Sequence, residues 1–139
     1  MIPEIVTAIS LQLNRMYPDG TVEVDHVKQG LKEPCFFIEV LEPTRTPLVG
    51  QKWQQDNMFD VQLFHSTAKN IQLYTVAEEL FEGLEYITLQ NGNILRGTSM
   101  RFEVVDGVLH FLVNYTVFLQ REEQQEYMEV LDMKESLKE

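Results

Sequence analysis

The sequence predicts one α+β domain, in which a mainly antiparallel sheet carries an N-terminal helix and a central helix. Three observations support this fold class. The turn dipeptides Asn91-Gly92 and Asp106-Gly107 each join strand-like runs, and such dipeptides favour β-hairpins. Two other segments repeat apolar residues at helical spacing. The length of 139 residues suits one domain that buries its own core.

The first element is an amphipathic helix over residues 3–17, which we expect to lie on the sheet. Pro3 and Glu4 suit its first turn, and the Pro18-Asp19-Gly20 turn ends it. Its apolar residues recur at helical spacing: Ile5, Val6, Ile9, Leu13 and Met16.

Three strands and a loop are predicted next. Residues 21–27 alternate, which indicates a strand with one solvated face, and residues 35–41 are apolar on both faces, as in a central strand. Residues 42–50 are rich in proline and polar groups, so we expect an exposed loop that does not join the sheet. Residues 51–64 alternate again as one long strand, whose polar first half projects beyond the core.

The central helix is predicted over residues 71–84, with core positions at Tyr74, Ala77, Leu80 or Phe81, and Leu84. Asn70 is the expected N-cap, and Thr75 with Glu78 is an alternative capping box one turn later. Four acidic residues form the solvated face of this helix: Glu78, Glu79, Glu82 and Glu85.

The Asp106-Gly107 turn fixes the register of the last hairpin. Counting outward places Val104 opposite Leu109, with further core-facing pairs: Phe102 with Phe111, Met100 with Val113, and Thr98 with Tyr115. The other face carries three pairs: Glu103 with His110, Arg101 with Leu112, and Ser99 with Asn114. A slip of one residue would turn the apolar ladder outward.

The charge is strongly acidic, since 22 Asp and Glu stand against 11 Lys and Arg, for a net charge of −11. Such a chain is repelled by nucleic-acid backbones, so we expect no sequence-specific nucleic-acid binding. No apolar run reaches membrane-spanning length and no signal peptide is evident, which predicts a soluble cytosolic protein with no membrane contact. We divide the chain into a domain at residues 1–120 and an acidic tail at residues 121–139.

Motifs for catalysis, cofactors or metals are missing from the sequence. The three histidines, His26, His65 and His110, have no second ligand at a known metal spacing, and His110 is expected to face Glu103 across the hairpin. Cys35 is the only cysteine, and we expect it to be a buried thiol in the core. The glycines never cluster as in nucleotide-binding loops. We therefore predict a protein that is not an enzyme and takes no cofactor.

The run QGLKEPCFFI at residues 29–38 is similar to a segment of the phage tail terminator, or tail completion, proteins of Gram-positive phages and prophages. Three further segments resemble the family in the same order: residues 5–9, 57–64 and 106–115. The resemblance implies a structural virion protein that forms a hexameric ring on the head-proximal end of the tail tube. It implies three partners: other copies of itself, the tail tube protein, and the head-tail connector or stopper protein. Its expected places are the virion tail and, during assembly, the host cytoplasm.

Two groups of residues are candidates for subunit or partner contacts. The first group lies in and after the proline-rich segment: Pro43, Thr44, Arg45, Pro47, Leu48 and Trp53. The second is the outward row of the last hairpin: Arg101, Glu103, His110 and Leu112. Two alternatives stay open, another neck or head-completion protein, and a small-ligand-binding or enzymatic domain with a pocket between sheet and helices.

Overall fold

The computed structural model describes residues 1–24 and 34–120. Two helices and seven strands lie in these ranges: α1 (Ile2–Met16), β1 (Thr21–Val24), β2 (Cys35–Val40), β3 (Thr44–Pro47), β4 (Lys52–Phe64), α2 (Asn70–Gly83), β5 (Tyr86–Thr88), β6 (Ile94–Val105) and β7 (Val108–Gln120). The predicted tail at residues 121–139, His26 and the first half of the run at residues 29–38 lie outside the described residues.

The strands form one sheet in the order β1-β2-β4-β7-β6-β5, and β3 pairs with the first half of β4. Only β1 and β2 run parallel among the described strands, while the other neighbours are antiparallel. The predicted α+β class with a mainly antiparallel sheet is confirmed. β2 is an internal strand with both faces buried from Cys35 to Ile38, also as predicted.

Both helices pack on one face of the sheet and form the core with it. α1 buries Ile5, Ile9 and Leu13 at 0% exposure, as its spacing predicted. The sheet contributes most of the other large buried residues: Phe36, Ile38, Phe59, Val61, Leu63, Leu109, Phe111, Val113 and Tyr115.

The stripe of α2 that faces the core differs by one residue from the prediction. Leu73 is buried, whereas Tyr74 is 43% exposed and packs its ring against Phe102 at 5.8 Å between centroids. The predicted N-cap is also wrong, because Asn70 is already helical and Lys69 is the cap. The Gln72 side chain accepts a hydrogen bond from the Lys69 backbone N–H at 2.7 Å, so the capping interaction begins one residue earlier.

The last hairpin forms around Asp106 and Gly107, whose φ angles of 50° and 77° match a tight primed turn. The predicted register is confirmed from Val105↔Val108 to Arg101↔Leu112. Beyond Arg101 the prediction is wrong, because a β-bulge places Thr98 opposite Asn114 and Gly97 opposite Tyr115.

The bulge brings a glycine to a position where the core has no room for a side chain. A Cβ on Gly97 would lie 2.8 Å from Val113 Cγ2 and 3.0 Å from the Leu84 carbonyl oxygen. The Gly97 N–H also donates to the Glu85 carbonyl at 2.6 Å. The chain after α2 therefore packs directly on β6, and Ser99 takes up the extra residue with φ 52°.

The proline-rich segment is a strand and not the predicted loop. β3 pairs with β4 from Thr44↔Asp56 to Pro47↔Trp53, and the Leu48 N–H donates to the Lys52 carbonyl at 2.9 Å. Since antiparallel hydrogen bonds alternate along a strand, residues 44, 46 and 48 point their backbone groups at β4, and residues 43, 45 and 47 point theirs outward. Pro43 and Pro47 occupy outward positions, where a missing N–H costs no ladder bond.

Candidate assembly surfaces

The structure separates the ten predicted contact residues into two surfaces. Pro43, Thr44, Arg45, Pro47, Leu48 and Trp53 meet at the β3 end of the sheet, which we define as β3 with residues 52–56 and 116–120. Arg101, Glu103, His110 and Leu112 meet on the sheet face opposite the helices, which we call the outer face. Leu112 and Leu119 are seven residues apart on β7, or about 23 Å at roughly 3.3 Å per residue.

Arg45 anchors the hairpin of β3 and β4 inside its own subunit. Its Nε and Nη2 donate to Gln55 Oε1 at 3.0 and 2.7 Å, and Gln55 Nε2 donates to Asn57 Oδ1 at 2.7 Å. Asn57 Nδ2 then donates to the Tyr115 carbonyl at 3.0 Å. Hydrogen bonds to a guanidinium are stronger than neutral ones. The chain of four groups ties the exposed hairpin to the middle of the sheet.

Gln55 and Asn57 correct the prediction that the polar first half of β4 projects beyond the core. They are 7% and 0% exposed and point to the helix side of the sheet. Burial of an amide side chain destabilises the fold unless its hydrogen bonds are made. The network that begins at Arg45 supplies these bonds. Alternation placed both residues on the side of Trp53 and Phe59, so their burial could have been found from sequence.

Other residues of the hairpin are open to solvent. Val49 in the turn is 93% exposed and Leu48 is 38% exposed. Trp53 is half-buried, between Pro47 and Leu119 on the adjoining strands. The turn therefore offers apolar side chains that its own subunit leaves uncovered.

His110 lies opposite Glu103 as predicted, but its side chain binds a different strand. Its Nδ1 is 3.0 Å from Asp60 Oδ2 on β4. Gln62 Nε2 donates to the same Asp60 oxygen at 3.1 Å and to Glu39 Oε1 at 3.0 Å. Asp60 lies between His110 and Gln62 and is 9% exposed. The predicted pairs came from the last hairpin alone, so they could not include Asp60, which is on β4.

A second polar group on the outer face surrounds Asp56. Thr116 Oγ1 donates to Asp56 Oδ1 at 2.6 Å, and this hydrogen bond is the main reason that the pKa of Asp56 is held below its ordinary value. Asn114 Nδ2 donates to the hydroxyls of Thr116 and Thr98 at 2.9 and 3.1 Å. Asn114 Oδ1 and Asp60 Oδ1 are buried without a hydrogen-bond partner in this structure.

The rest of the outer row is polar with one apolar member. Arg101 and Glu103 are exposed, and Leu112 is half-buried between them and β4. The outer face is thus a hydrogen-bonded polar surface, in contrast to the apolar face under the helices.

The sequence profile of the phage tail terminator protein family matches residues 4–127. The chain belongs to this family. A search of curated proteins gives no match. The predicted resemblance is confirmed, and with it a structural role in tail assembly; the Gram-positive origin stays a prediction.

The acidic face of α2 is confirmed on this tail terminator family member. Glu78, Glu79 and Glu82 are exposed, and the Tyr17 hydroxyl donates to the Glu79 carboxylate. Burial, and then this acidic partner, raise the pKa of Tyr17. Glu85 instead forms an ion pair with Arg96 at 3.2 Å.

His65 and Cys35 are two further residues that the sequence analysis considered for chemistry. The Thr67 hydroxyl lies 3.3 Å from His65 Nδ1, and Cys35 is buried at 4% exposure. Within residues 1–24 and 34–120, no three His, Cys, Asp or Glu side chains are grouped to hold a metal ion. No helix in the same ranges is long and apolar enough to cross a membrane.

A small pocket of about 180 Å³ lies where α1 and α2 meet the end of the sheet, with Tyr17, Phe36, Leu63 and Leu73 among its lining residues. This volume is below the roughly 300–1,000 Å³ of usual ligand pockets. Sequence reasoning missed two exposed residues at or beside the β3 end, Phe118 at 68% exposure and Ile94, at the start of β6, at 63%. The alternation that put Val117 and Leu119 on the core side already placed Phe118 on the solvated one.

Proposed function

We propose that the protein caps the head-proximal end of the phage tail tube as a homo-hexameric ring, stops tube polymerisation, and offers its other side to the head-tail connector or stopper protein. The observation that carries this proposal is the family match over residues 4–127. The protein assembles in the host cytoplasm and then resides in the virion tail. Its role is structural, and it catalyses no reaction.

The hairpin of β3 and β4 is the proposed contact with a neighbouring copy or the tube. Leu48 and Trp53 supply apolar area there, and Pro43, Thr44 and Pro47 supply exposed backbone and side chains of a stiff edge strand. Large side chains in partly exposed positions are typical anchors of protein interfaces. Arg45 contributes indirectly, because its bonds to Gln55 hold the hairpin in place.

The outer face is the second proposed contact. Arg101, Glu103, His110 and Leu112 form a row on it that no helix of the described chain covers. A ring of such subunits can bury Leu112 while the charged residues at its rim select orientation. The net charge of −11 also gives the lumen of the ring a repulsive wall, so that DNA passes without binding.

Native mass spectrometry, with and without purified tail tube protein, tests this function. We expect hexamers, free or bound to tube oligomers, and electron microscopy should show tubes that stop growing and carry a ring at one end. A chain that stays monomeric and leaves tube growth unchanged contradicts the proposal. Binding to the connector protein without any effect on the tube would identify a neck or head-completion protein instead.

Two variants separate the proposed surfaces. Deletion of residues 43–49 removes the first surface, and Leu112→Asp places a charge on the second. We expect each to lower ring formation or tube capping, while circular dichroism shows a folded chain. If the folded deletion variant forms rings and caps tubes normally, the hairpin is not part of the interface. If Leu112→Asp leaves the oligomer unchanged, the outer face is not part of it.

A further inference from the structure

A groove of about 480 Å³ opens at the β3 end, between residues 94–96 of β6 and residues 116–118 of β7. It exists because the pairing of β6 with β7 ends at Gly97↔Tyr115. Beyond that pair, β6 continues beside β5, and β7 continues beside β4 to Gln120. Within the described residues, no strand pairs with the groove-facing edges of these two segments.

Both apolar and polar groups line the groove, the apolar ones with the larger share, and its polar members are Asn93, Arg96 and Thr116. Leu89, Leu95 and Val117 lie deeper, and Ile94 and Phe118 are exposed at its rim. Two large apolar residues exposed side by side at the rim of a groove form a candidate interaction site.

The charged groups beside this groove are already paired. The Met1 amino group lies 3.1 Å from Glu4 Oε1, and the Arg96 guanidinium lies 3.2 Å from Glu85 Oε2 and over the Tyr86 ring. An apolar segment that enters the groove therefore leaves no buried charge without its partner, which would otherwise oppose binding.

The turn between β3 and β4 has matching properties. Residues 48–51 read Leu-Val-Gly-Gln and carry no charge. Val49 is the most exposed large apolar residue of the described chain, at 93%. Gly50, at φ 80°, gives the turn a left-handed residue that keeps Leu48 and Val49 at its tip.

Turn and groove lie on opposite flanks of the β3 end. β3 adjoins β4, β4 adjoins β7, and the groove is on the far side of β7. The two intervening strands, β4 and β7, prevent this turn from reaching the groove of its own subunit. Contacts between unlike surfaces on opposite flanks run head-to-tail, and such contacts close into rings when the rotation permits.

Continuous sheet formation between copies is disfavoured at the same flank. The free edge of β3 has proline at residues 43 and 47, both of which point outward. Proline at an edge blocks the addition of another strand. A neighbouring copy is therefore expected to bind this flank through side chains, chiefly those of the turn, and not by adding a strand to β3.

We propose that the groove of each copy receives Leu48 and Val49 from the β3–β4 turn of the next copy, and that this contact links the ring. The inference rests on the proposed function, which it deepens by naming the two surfaces that meet. The occupant is a second copy of this chain.

Cysteine cross-linking tests the contact directly. The only native cysteine, Cys35, is 4% exposed, so introduced cysteines are not obscured. In the presence of tube protein, a Val49→Cys/Ile94→Cys chain should give, on mild oxidation, a ladder of covalent oligomers that ends at the ring size. The matched control is Val49→Cys/Val105→Cys, since Val105 is also exposed, at 44%, but lies at the far end of β6. The control should give no ladder.

A charge variant gives an independent readout. Val49→Asp should weaken self-association at least tenfold, and Val49→Ile should retain it, with unchanged melting temperatures because Val49 is so exposed. This contact is overturned if native mass spectrometry shows rings but no Val49–Ile94 cross-links form. It is also overturned if Val49→Asp assembles fully. Either result leaves the proposed function standing. The absence of any oligomer or tube binding in the unmodified protein overturns both.

Discussion

The Tyr115 phenol shows how one buried polar group connects the helix layer to the sheet. The side chain is 0% exposed, burial raises its pKa, and its hydroxyl donates to the Leu84 carbonyl at 2.5 Å. Tyr115→Phe leaves that buried carbonyl without its donor, which typically costs about 1–3 kcal/mol. We expect the free energy of unfolding, measured by urea denaturation, to fall by that amount.

The control for Tyr115→Phe is Tyr86→Phe, because Tyr86 is 54% exposed and its ring, which contacts Arg96, is kept. We expect a change within about 0.5 kcal/mol for this surface site. Equal effects of the two substitutions would show that the bond to Leu84 contributes nothing to stability.

Asp56 gives a prediction on pH. Its folded-state pKa lies below the ordinary value of 3.8, chiefly because Thr116 donates a hydrogen bond to the carboxylate. A lowered folded pKa stabilises the protein above the unfolded value, and this contribution is lost as the pH falls through 3.8 and then the folded pKa. Thr116→Val should raise the pKa of Asp56, as measured by carboxyl NMR titration, and reduce this acid sensitivity.

Thr75→Val is the matched control for Thr116→Val. Its hydroxyl donates to the Ile71 carbonyl on the exposed side of α2, away from Asp56. We expect this variant to leave the Asp56 titration unchanged. An Asp56 pKa that stays low in Thr116→Val would assign the shift to other neighbours, such as Gln54.

Single residues also show what the sequence could not predict. The register of the last hairpin put His110 opposite Glu103, which is correct, yet the imidazole binds Asp60. The hairpin pattern specifies neighbours across one turn, whereas Asp60 comes from a strand 50 residues away in sequence. A similar limit applies to Tyr74, which was predicted to be a core residue of α2. The spacing of apolar residues along a helix identifies its buried face only to within about one residue.

At the scale of elements, turn chemistry was the most informative part of the sequence. Asp106-Gly107 and Asn91-Gly92 both form the predicted hairpins. The bulge at Ser99 was missed because it accompanies a contact with residues outside the hairpin, where a Cβ on Gly97 would lie 3.0 Å from the Leu84 carbonyl oxygen. β3 was missed because proline is disfavoured in a central strand, whereas here both prolines point away from β4, the strand that pairs with β3 within the described residues.

The packing of the bulge can be tested with Gly97→Ala. The added methyl meets Val113 Cγ2 at 2.8 Å, and overpacking of this kind costs about 1–3 kcal/mol. Val113→Ala removes the opposing methyl groups, so the double variant should lose less stability than the sum of the two single variants. Urea denaturation of all four proteins gives the coupling energy. Strict additivity would show that Val113 is not the group that Gly97 accommodates.

At the scale of the molecule, one sheet carries helices on one face and leaves a polar face and an apolar turn available for assembly. The family resemblance predicted the structural role in tail assembly, while the groove beside β7 depends on where two strands separate. No local pattern in the sequence encodes the point where β6 and β7 separate. The separation follows from two long-range pairings, since β6 continues beside β5 and β7 continues beside β4.

Ring formation by this chain should depend on salt in a way that identifies its main contact. Copies with a net charge of −11 repel one another, and the Debye length falls from about 30 Å at 0.01 M salt to about 8 Å at 0.15 M. Since the proposed turn-and-groove contact is apolar, screening weakens the repulsion without weakening the contact. Analytical ultracentrifugation should therefore show more oligomer at about 0.15 M than at about 0.01 M salt, and Val49→Asp should remain dissociated at both. Dissociation of the wild-type ring by salt would instead assign the interface to ion pairs such as those available to Arg101 and Glu103 on the outer face.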